Sequence, residues 1–152
     1  VNLLGVEWLG AYAHYAADRA FRAGLTNVRL LCADAAELLS GGISPASLLR
    51  VHIYYPDPWP KRRHAARRLI QPGFLADVMK ALRVGGWLGI VTDHEEYAGQ
   101  IERVLEAAEG LVRIPFRPVG RPQGVVDTNF EAKRLGPGQR PFTFAAIRRG
   151  PG

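Results

Sequence analysis

The stretch SLLRVHIYYPDPWPKRRHAARR, residues 47 to 68, joins a largely apolar run to three prolines on alternate positions and then to five cations within eight residues. The apolar part has the length and β-branched or aromatic content of a strand. Each proline fixes φ and removes a backbone donor, so residues 56 to 60 form a stiff connection that leaves the sheet. Asp57 is thereby held at a strand tip, with Trp59 offering a flat face beside it.

The same pattern recurs on either side. NLLGVE (2–7), VRLLCAD (28–34) and WLGIVTD (87–93) are also short apolar runs closed by an acid. Between them the apolar spacing is helical: residues 8 to 23 stop at Gly24, AAELL follows Asp34 as a possible cap, and Gln71 to Arg83 carries Pro72 near its first turn and ends at Gly85 and Gly86. Residues 95 to 108 read as a further helix with an acidic outer face. Strands alternating with helices predict βαβ units, a mostly parallel sheet and helices on both of its faces. After Gly110 the pattern changes to LVRIPF and PFTFAAIRR, a terminal pair of strands separated by the Pro/Gly-rich loop 117–141. That loop is long enough to be functional or disordered.

In open parallel sheets ligands sit outside the carboxyl ends of the strands. Glu7, Asp34, Asp57 and Asp93 all fall at or just past such an end, so four carboxylates are expected along one rim. A lone acid there is usually a helix cap or a solvated loop residue; four in succession favour a shared site. Glu7 suits the paired hydroxyls of a ribose and Asp34 suits an adenine amino group, since an ionised carboxylate is the best acceptor for both. Those two acids fit any adenosine cofactor, in an oxidoreductase as well as in a transferase.

Charge narrows the choice. The net charge is +6 over 152 residues, but Lys61, Arg62, Arg63, Arg67 and Arg68 carry five positive charges. Residues 111 to 152 hold eight Lys or Arg against Asp127 and Glu131. An acidic body with two basic zones points to a polyanionic partner. A solvated charge run is the bland alternative. The single cysteine, Cys32, excludes an internal disulfide and reads as a buried thiol. Four scattered histidines offer no metal-ligand spacing. No apolar run approaches the roughly 20 residues that cross a bilayer, and the apolar N-terminus, interrupted by Glu7, lacks the basic segment of a signal peptide. A cytoplasmic protein without membrane or metal is expected.

YYPDPWPKRRHAARRLIQPGFL, then VTDHEEYA, then TNFEAKRLG resemble the bacterial tRNA (guanine-N7-)-methyltransferases, in order and over nearly the whole chain. The resemblance implies a Rossmann-like, class I S-adenosylmethionine-dependent methyltransferase sheet, mostly parallel with an antiparallel C-terminal strand, and transfer of a methyl group to a guanine in the tRNA variable loop. It implies that Glu7, Asp34 and Asp57 bind the cofactor and that Asp57 is also the active-site acid. Lys61, Asp93, Thr128, Asn129, Phe130 and Glu131 match substrate-contacting positions, and the strip with Arg63, His64, Arg67 and Arg68 matches the one that touches RNA. The family usually has lysine where this chain has Asn129. Its first strand and glycine-rich cofactor loop have no counterpart ahead of Val1, so residues 1–152 are expected to be a single methyltransferase domain truncated at its N-terminus. Its sheet would be divided by two unpaired edges, and the chain would by itself transfer methyl groups poorly or not at all. A non-catalytic tRNA-binding protein derived from the family is the alternative.

Overall fold

The computed structural model describes residues 2–116 and 140–150. They form two compact units, Val1–Ser44 and Pro45–Gly152. The first holds β1 (Leu3–Glu7), α1 (Gly10–Arg22), β2 (Val28–Cys32), a single helical turn α2 (Ala35–Glu37) and a π-turn over Leu38–Gly42. Strands β1 and β2 pair in parallel, Leu3 opposite Val28 and Glu7 opposite Cys32. Helix α1 returns the chain between them. Its end is set by Gly24, whose φ of +67° lies in the left-handed region open to glycine. The Leu25 and Gly24 N–H groups donate to the Ala20 and Phe21 carbonyls at 3.0 and 2.9 Å, the paired bonds of a Schellman stop.

The second unit holds β3 (Leu48–Tyr54), a 3₁₀ helix (Arg62–Arg67), α3 (Pro72–Ala81), β4 (Leu82–Thr92), α4 (Glu95–Glu106), β5 (Leu111–Ile114) and β6 (Phe142–Arg148). Its sheet runs β3-β4-β6-β5. β3 and β4 are parallel, while β6 is antiparallel to both β4 and β5. The expected terminal strand pair is therefore present, and β6 is the antiparallel strand. Alternation along the strands puts Ile53, Leu88, Ile90, Phe144 and Ala146 on one face, all buried. On that same face Arg113 of β5 lies over the Phe144 ring and pairs with Glu102 of α4 at 2.8 Å. The apolar positions of α3 (Phe74, Leu75, Val78, Ala81) and α4 (Tyr97, Ala98, Ile101, Leu105) are buried at the helical spacing read from the sequence.

Two expectations are corrected. Helix α3 stops at Ala81, and β4 begins at Leu82 instead of after the glycines. Leu82 is buried and pairs with Leu48, and the register then slips before Arg50 meets Trp87. Gly85 (φ +75°) and Gly86 make that irregularity; a Cβ on Gly86 would stand 2.7 Å from the Arg83 carbonyl. The described strands form two hydrogen-bonded sheets, β1-β2 and β3-β4-β6-β5. Cys32 is exposed, its Sγ 3.5 Å from the Trp8 carbonyl oxygen, because β2 is one of only two strands in its sheet and most of its side chains remain uncovered.

Candidate active site

Parallel pairing places Glu7 and Asp34 at the same carboxyl end of the first unit's sheet: Glu7 is the last residue of β1, and Asp34 follows β2 by two. Each carboxylate also shapes the chain next to it. Glu7 Oε1 accepts from the Leu9 N–H at 2.8 Å, ordering the entry to α1. Asp34 Oδ1 accepts from Ala36 and Glu37 N–H at 2.7 and 3.4 Å, the capping role read from the sequence. An ionised carboxylate has about four lone-pair positions on two oxygens. These local bonds therefore leave each acid acceptor capacity for a ligand, which fits the hydroxyls and amino group of an adenosine.

In the second unit the rim is formed by the ends of β3 and β4, held level by the pairing of Tyr54 with Val91 and by the bond from the Tyr55 N–H to the Val91 carbonyl, 2.8 Å. Asp57 and Asp93 lie just past these two ends, and both are exposed. The chain leaves β3 through two aromatic residues in the left-handed region, Tyr55 (φ +50°) and Trp59 (φ +42°). For bulky side chains such backbone costs about 1–3 kcal/mol each and persists only where surrounding contacts impose it.

At Trp59 the contacts come from the basic strip. Lys61 precedes the 3₁₀ helix, and its carbonyl accepts from the His64 N–H at 2.7 Å. With three residues per turn, His64 and Arg67 fall on one side of that helix, and both meet Trp59. The His64 ring stands edge-on at 5.8 Å, and the Arg67 guanidinium lies 5.1 Å over the indole. A face expected to be open for stacking is thus occupied by Arg67. Arg63 and Lys61 are exposed.

Arg68 departs from the expectation that it touches RNA. It is 3% exposed. Its Nε donates to the Pro58 carbonyl at 2.7 Å and its Nη1 to Gln100 Oε1 at 2.9 Å. Its Nη2 reaches the Trp59 carbonyl and Glu96 Oε1 at 3.5 and 3.3 Å. The guanidinium also lies 5.2 Å over the Tyr97 ring. Its charge is turned inward because α4 supplies it with a carboxylate, an amide and an aromatic face.

Tyr97, Glu96 and Gln100 therefore belong to the site's support, and sequence reasoning missed them. The available signal was an aromatic and two long polar residues at i, i+1 and i+4 just after a strand-end acid. Tyr97 is fully buried, and its hydroxyl accepts from the Ile70 N–H at 2.9 Å. Burial raises its pKa above the ordinary 10.0, the Asp57 charge adding to the rise, while the Ile70 N–H and the Arg68 charge oppose it. Elsewhere on the second unit's sheet, the His52 ring lies tilted against Trp87, centroids 4.8 Å apart, and its Nδ1 lies 3.1 Å from the Tyr54 hydroxyl. Burial, then the neighbouring Arg50, push its pKa below 6.5. Thr128, Asn129, Phe130 and Glu131 lie outside the described residues. Among the described residues no cluster of three or more His, Cys, Asp or Glu is arranged to hold a metal ion, and no helix is long and apolar enough to cross a membrane.

A strand-alternating fold with a carboxylate rim is the pattern of a Rossmann-like methyltransferase, and comparison with solved structures supports that fold. An rRNA methylase from Streptococcus thermophilus superposes with a TM-score of 0.61 at 15% identity, covering 98% of this chain and 74% of that one. A SAM-dependent methyltransferase from Aquifex aeolicus gives 0.62 at 14% identity, covering 97% and 69%. The chain belongs to the methyltransferase family described as "Putative methyltransferase", whose sequence profile matches residues 1–143. Among curated relatives, a tRNA (guanine-N(7)-)-methyltransferase from Bordetella pertussis is 42% identical over 144 residues, 90% of this chain and 55% of that protein. The protein of the same name from Shewanella woodyi is 37% identical over 159 residues, 97% of this chain and 63% of that one. The chain thus spans a little over half the length of these relatives.

Proposed function

We propose that this chain is part of a single methyltransferase domain that methylates N7 of a guanine in tRNA, with S-adenosylmethionine as donor. The observation that carries this reading is the placement of Asp57: an exposed carboxylate between two prolines just past the end of β3, followed in the chain by a basic 3₁₀ helix and, like Asp93, at the carboxyl end of one of two paired parallel strands. The resemblance of the whole PDPW-to-TNFE series and the names of the relatives support it.

Glu7 and Asp34 would hold the adenosine part of the cofactor by accepting from ribose hydroxyls and from the adenine amino group. When bound, the cofactor supplies an electrophilic methyl group. Guanine N7 carries its own in-plane lone pair, so no strong base has to act before attack. What the chain must do is orient the base and keep water away, and such orientation is worth about 7–11 kcal/mol in well-placed systems. Asp57 accepts from the guanine N1–H and N2–H₂, fixing the ring and feeding electron density toward N7. Lys61, Arg63 and Arg67 grip phosphates, since duplex RNA is read mainly by shape and backbone. Asp93 and residues 128–131 complete the substrate side.

The test is methyl transfer from labelled S-adenosylmethionine to a tRNA transcript, for the chain as given and for its Asp57→Ala variant, with cofactor and tRNA binding measured in parallel. Guanine-specific incorporation, slow for the chain by itself, that Asp57→Ala abolishes while tRNA binding persists is the expected result. Full transfer by Asp57→Ala removes the assigned role. Binding of tRNA without any affinity for the cofactor leaves the non-catalytic RNA-binding protein in its place.

A further inference from the structure

We propose that Arg68 is the positioning residue for Asp57, clamping the strand-tip segment from inside through its backbone carbonyls. This rests on the reading of Asp57 as the base-binding acid, but its physical basis is independent of that reading.

The segment Pro56-Asp57-Pro58-Trp59-Pro60 has an unusual supply of hydrogen-bonding groups. Three of its five residues have no N–H, so it cannot be tied to a neighbouring strand by an ordinary ladder. With only the Asp57 and Trp59 N–H groups left as backbone donors, its backbone is held mainly through its carbonyls, and a donor reaching more than one of them does this best. Arg68 is such a donor. Its guanidinium presents five N–H groups in a planar fork. Four bonds are made from it, two of them to the carbonyls of Pro58 and Trp59, the two residues that follow Asp57.

The other end of the clamp is anchored. Gln100 accepts from Arg68 and donates its own Nε2 to the Ile70 carbonyl at 3.0 Å, while the Tyr97 hydroxyl takes the Ile70 N–H. With the Arg68–Glu96 bond, the segment 68–70 is therefore fastened to α4 by four hydrogen bonds. Glu96, about half exposed, balances the charge at 3.3 Å. The left-handed backbone of Trp59 is sustained by the same fork inside and by Arg67 outside. Lysine does not replace this: an ammonium is a single point charge and cannot span two carbonyls, an amide and a carboxylate in one plane.

The experiment replaces tryptophan by 5-fluorotryptophan in the chain and assigns the fluorine resonances of Trp8, Trp59 and Trp87 by single Trp→Phe substitutions. Arg68→Met and Arg68→Lys are then compared with the parent. The expected result is a Trp59 resonance moved toward that of free 5-fluorotryptophan in both variants, with Trp87 unmoved. A Trp59 resonance unchanged in folded Arg68→Lys overturns the proposal. So does loss of all native resonances in both variants, which would make Arg68 a requirement of the whole fold and not a local clamp. In the methyl-transfer assay both variants should lower kcat by roughly 10²-fold while KM for tRNA stays within about threefold, the signature of a misplaced group and not of a lost RNA contact. If the parent chain binds neither S-adenosylmethionine nor tRNA, the proposed function fails, and the fluorine spectra still decide the role of Arg68.

Discussion

Tyr97→Phe removes one atom and isolates one bond. Tyr97 and Ile70 are both fully buried, and the Tyr97 hydroxyl is the acceptor for the Ile70 N–H at 2.9 Å. Phenylalanine keeps the ring that lies under Arg68 and leaves no sizeable cavity, so the dominant change is a buried amide without its acceptor. That costs about 1–3 kcal/mol. With a urea dependence of about 2 kcal/mol per molar, typical of a small domain, the midpoint should fall by roughly 0.5–1.5 M. A second signature follows from the raised pKa of the hydroxyl. Above pH 10.0 the unfolded chain releases this proton while the folded chain retains it, so the folded state binds more protons and stability declines as pH rises toward the folded pKa. Phenylalanine cannot titrate, and the variant should lack this part of the alkaline decline. Urea titrations followed by far-ultraviolet circular dichroism at neutral pH and between pH 9.5 and about 11 measure both effects. An unchanged midpoint together with an unchanged alkaline slope would refute the assignment of the Ile70 bond.

Gly89→Ala places a Cβ 2.0 Å from the Trp87 Cη2, so the indole must leave its place over the sheet. A loss of about 1–3 kcal/mol is expected from overpacking, with a changed near-ultraviolet dichroism as Trp87 parts from His52. His52→Gln should flatten the acid side of the stability profile: with a folded pKa below 6.5, the unfolded chain takes up the proton first, so His52 makes stability fall as pH drops below 6.5. Urea midpoints at pH 5 and 7 in both proteins check this, and equal slopes would count against it. Arg63→Ala and Lys61→Ala should each reduce the salt dependence of tRNA binding by about one unit of log–log slope, whereas Lys80→Ala, at the far end of α3, should leave it alone.

Much of this was readable from the sequence because it depends on neighbours. The four strand-end acids, the Asp34 cap, the Gly24 stop and Pro72 at the start of α3 all follow from residues within a turn or two of one another, whereas the antiparallel direction of the last strand came from the family resemblance. What escaped depends on distant partners. Arg68 looks like one more cation in a basic run. Its burial is decided by Glu96 and Gln100, 28 and 32 positions further on, which no charge pattern connects to it. Leu82 belongs to a helical pattern and is drawn into β4 by Leu48, on a strand met before the helix begins. The left-handed backbone of Tyr55 and Trp59 runs against the extended preference of residues that precede proline and is imposed by the bonds around it. Cys32 has an apolar sequence context but is exposed, because burial needs covering layers and the sheet of the first unit has two strands.

The basic strip is best understood as two sets of cations with different physical tasks. A proline-rich tip is stiff along its own chain, yet it has few donors with which to attach to the body; stiffness alone does not fix where its acid points. Attachment must come from outside groups that donate, and the nearest are the cations that follow. Arg68 supplies it through the carbonyls, and Arg67 with His64 through the Trp59 ring. Lys61 and Arg63 remain exposed, and on the proposed function they are the ones that meet phosphate. On this division, weakening the inner set disturbs where Asp57 points, and weakening the outer set disturbs how strongly RNA is held. The two kinds of damage should separate cleanly in kinetics: a fall in kcat for Arg68 variants, and a salt-sensitive rise in KM for Lys61 and Arg63 variants. Arg67, which touches Trp59 and is itself exposed, should show both.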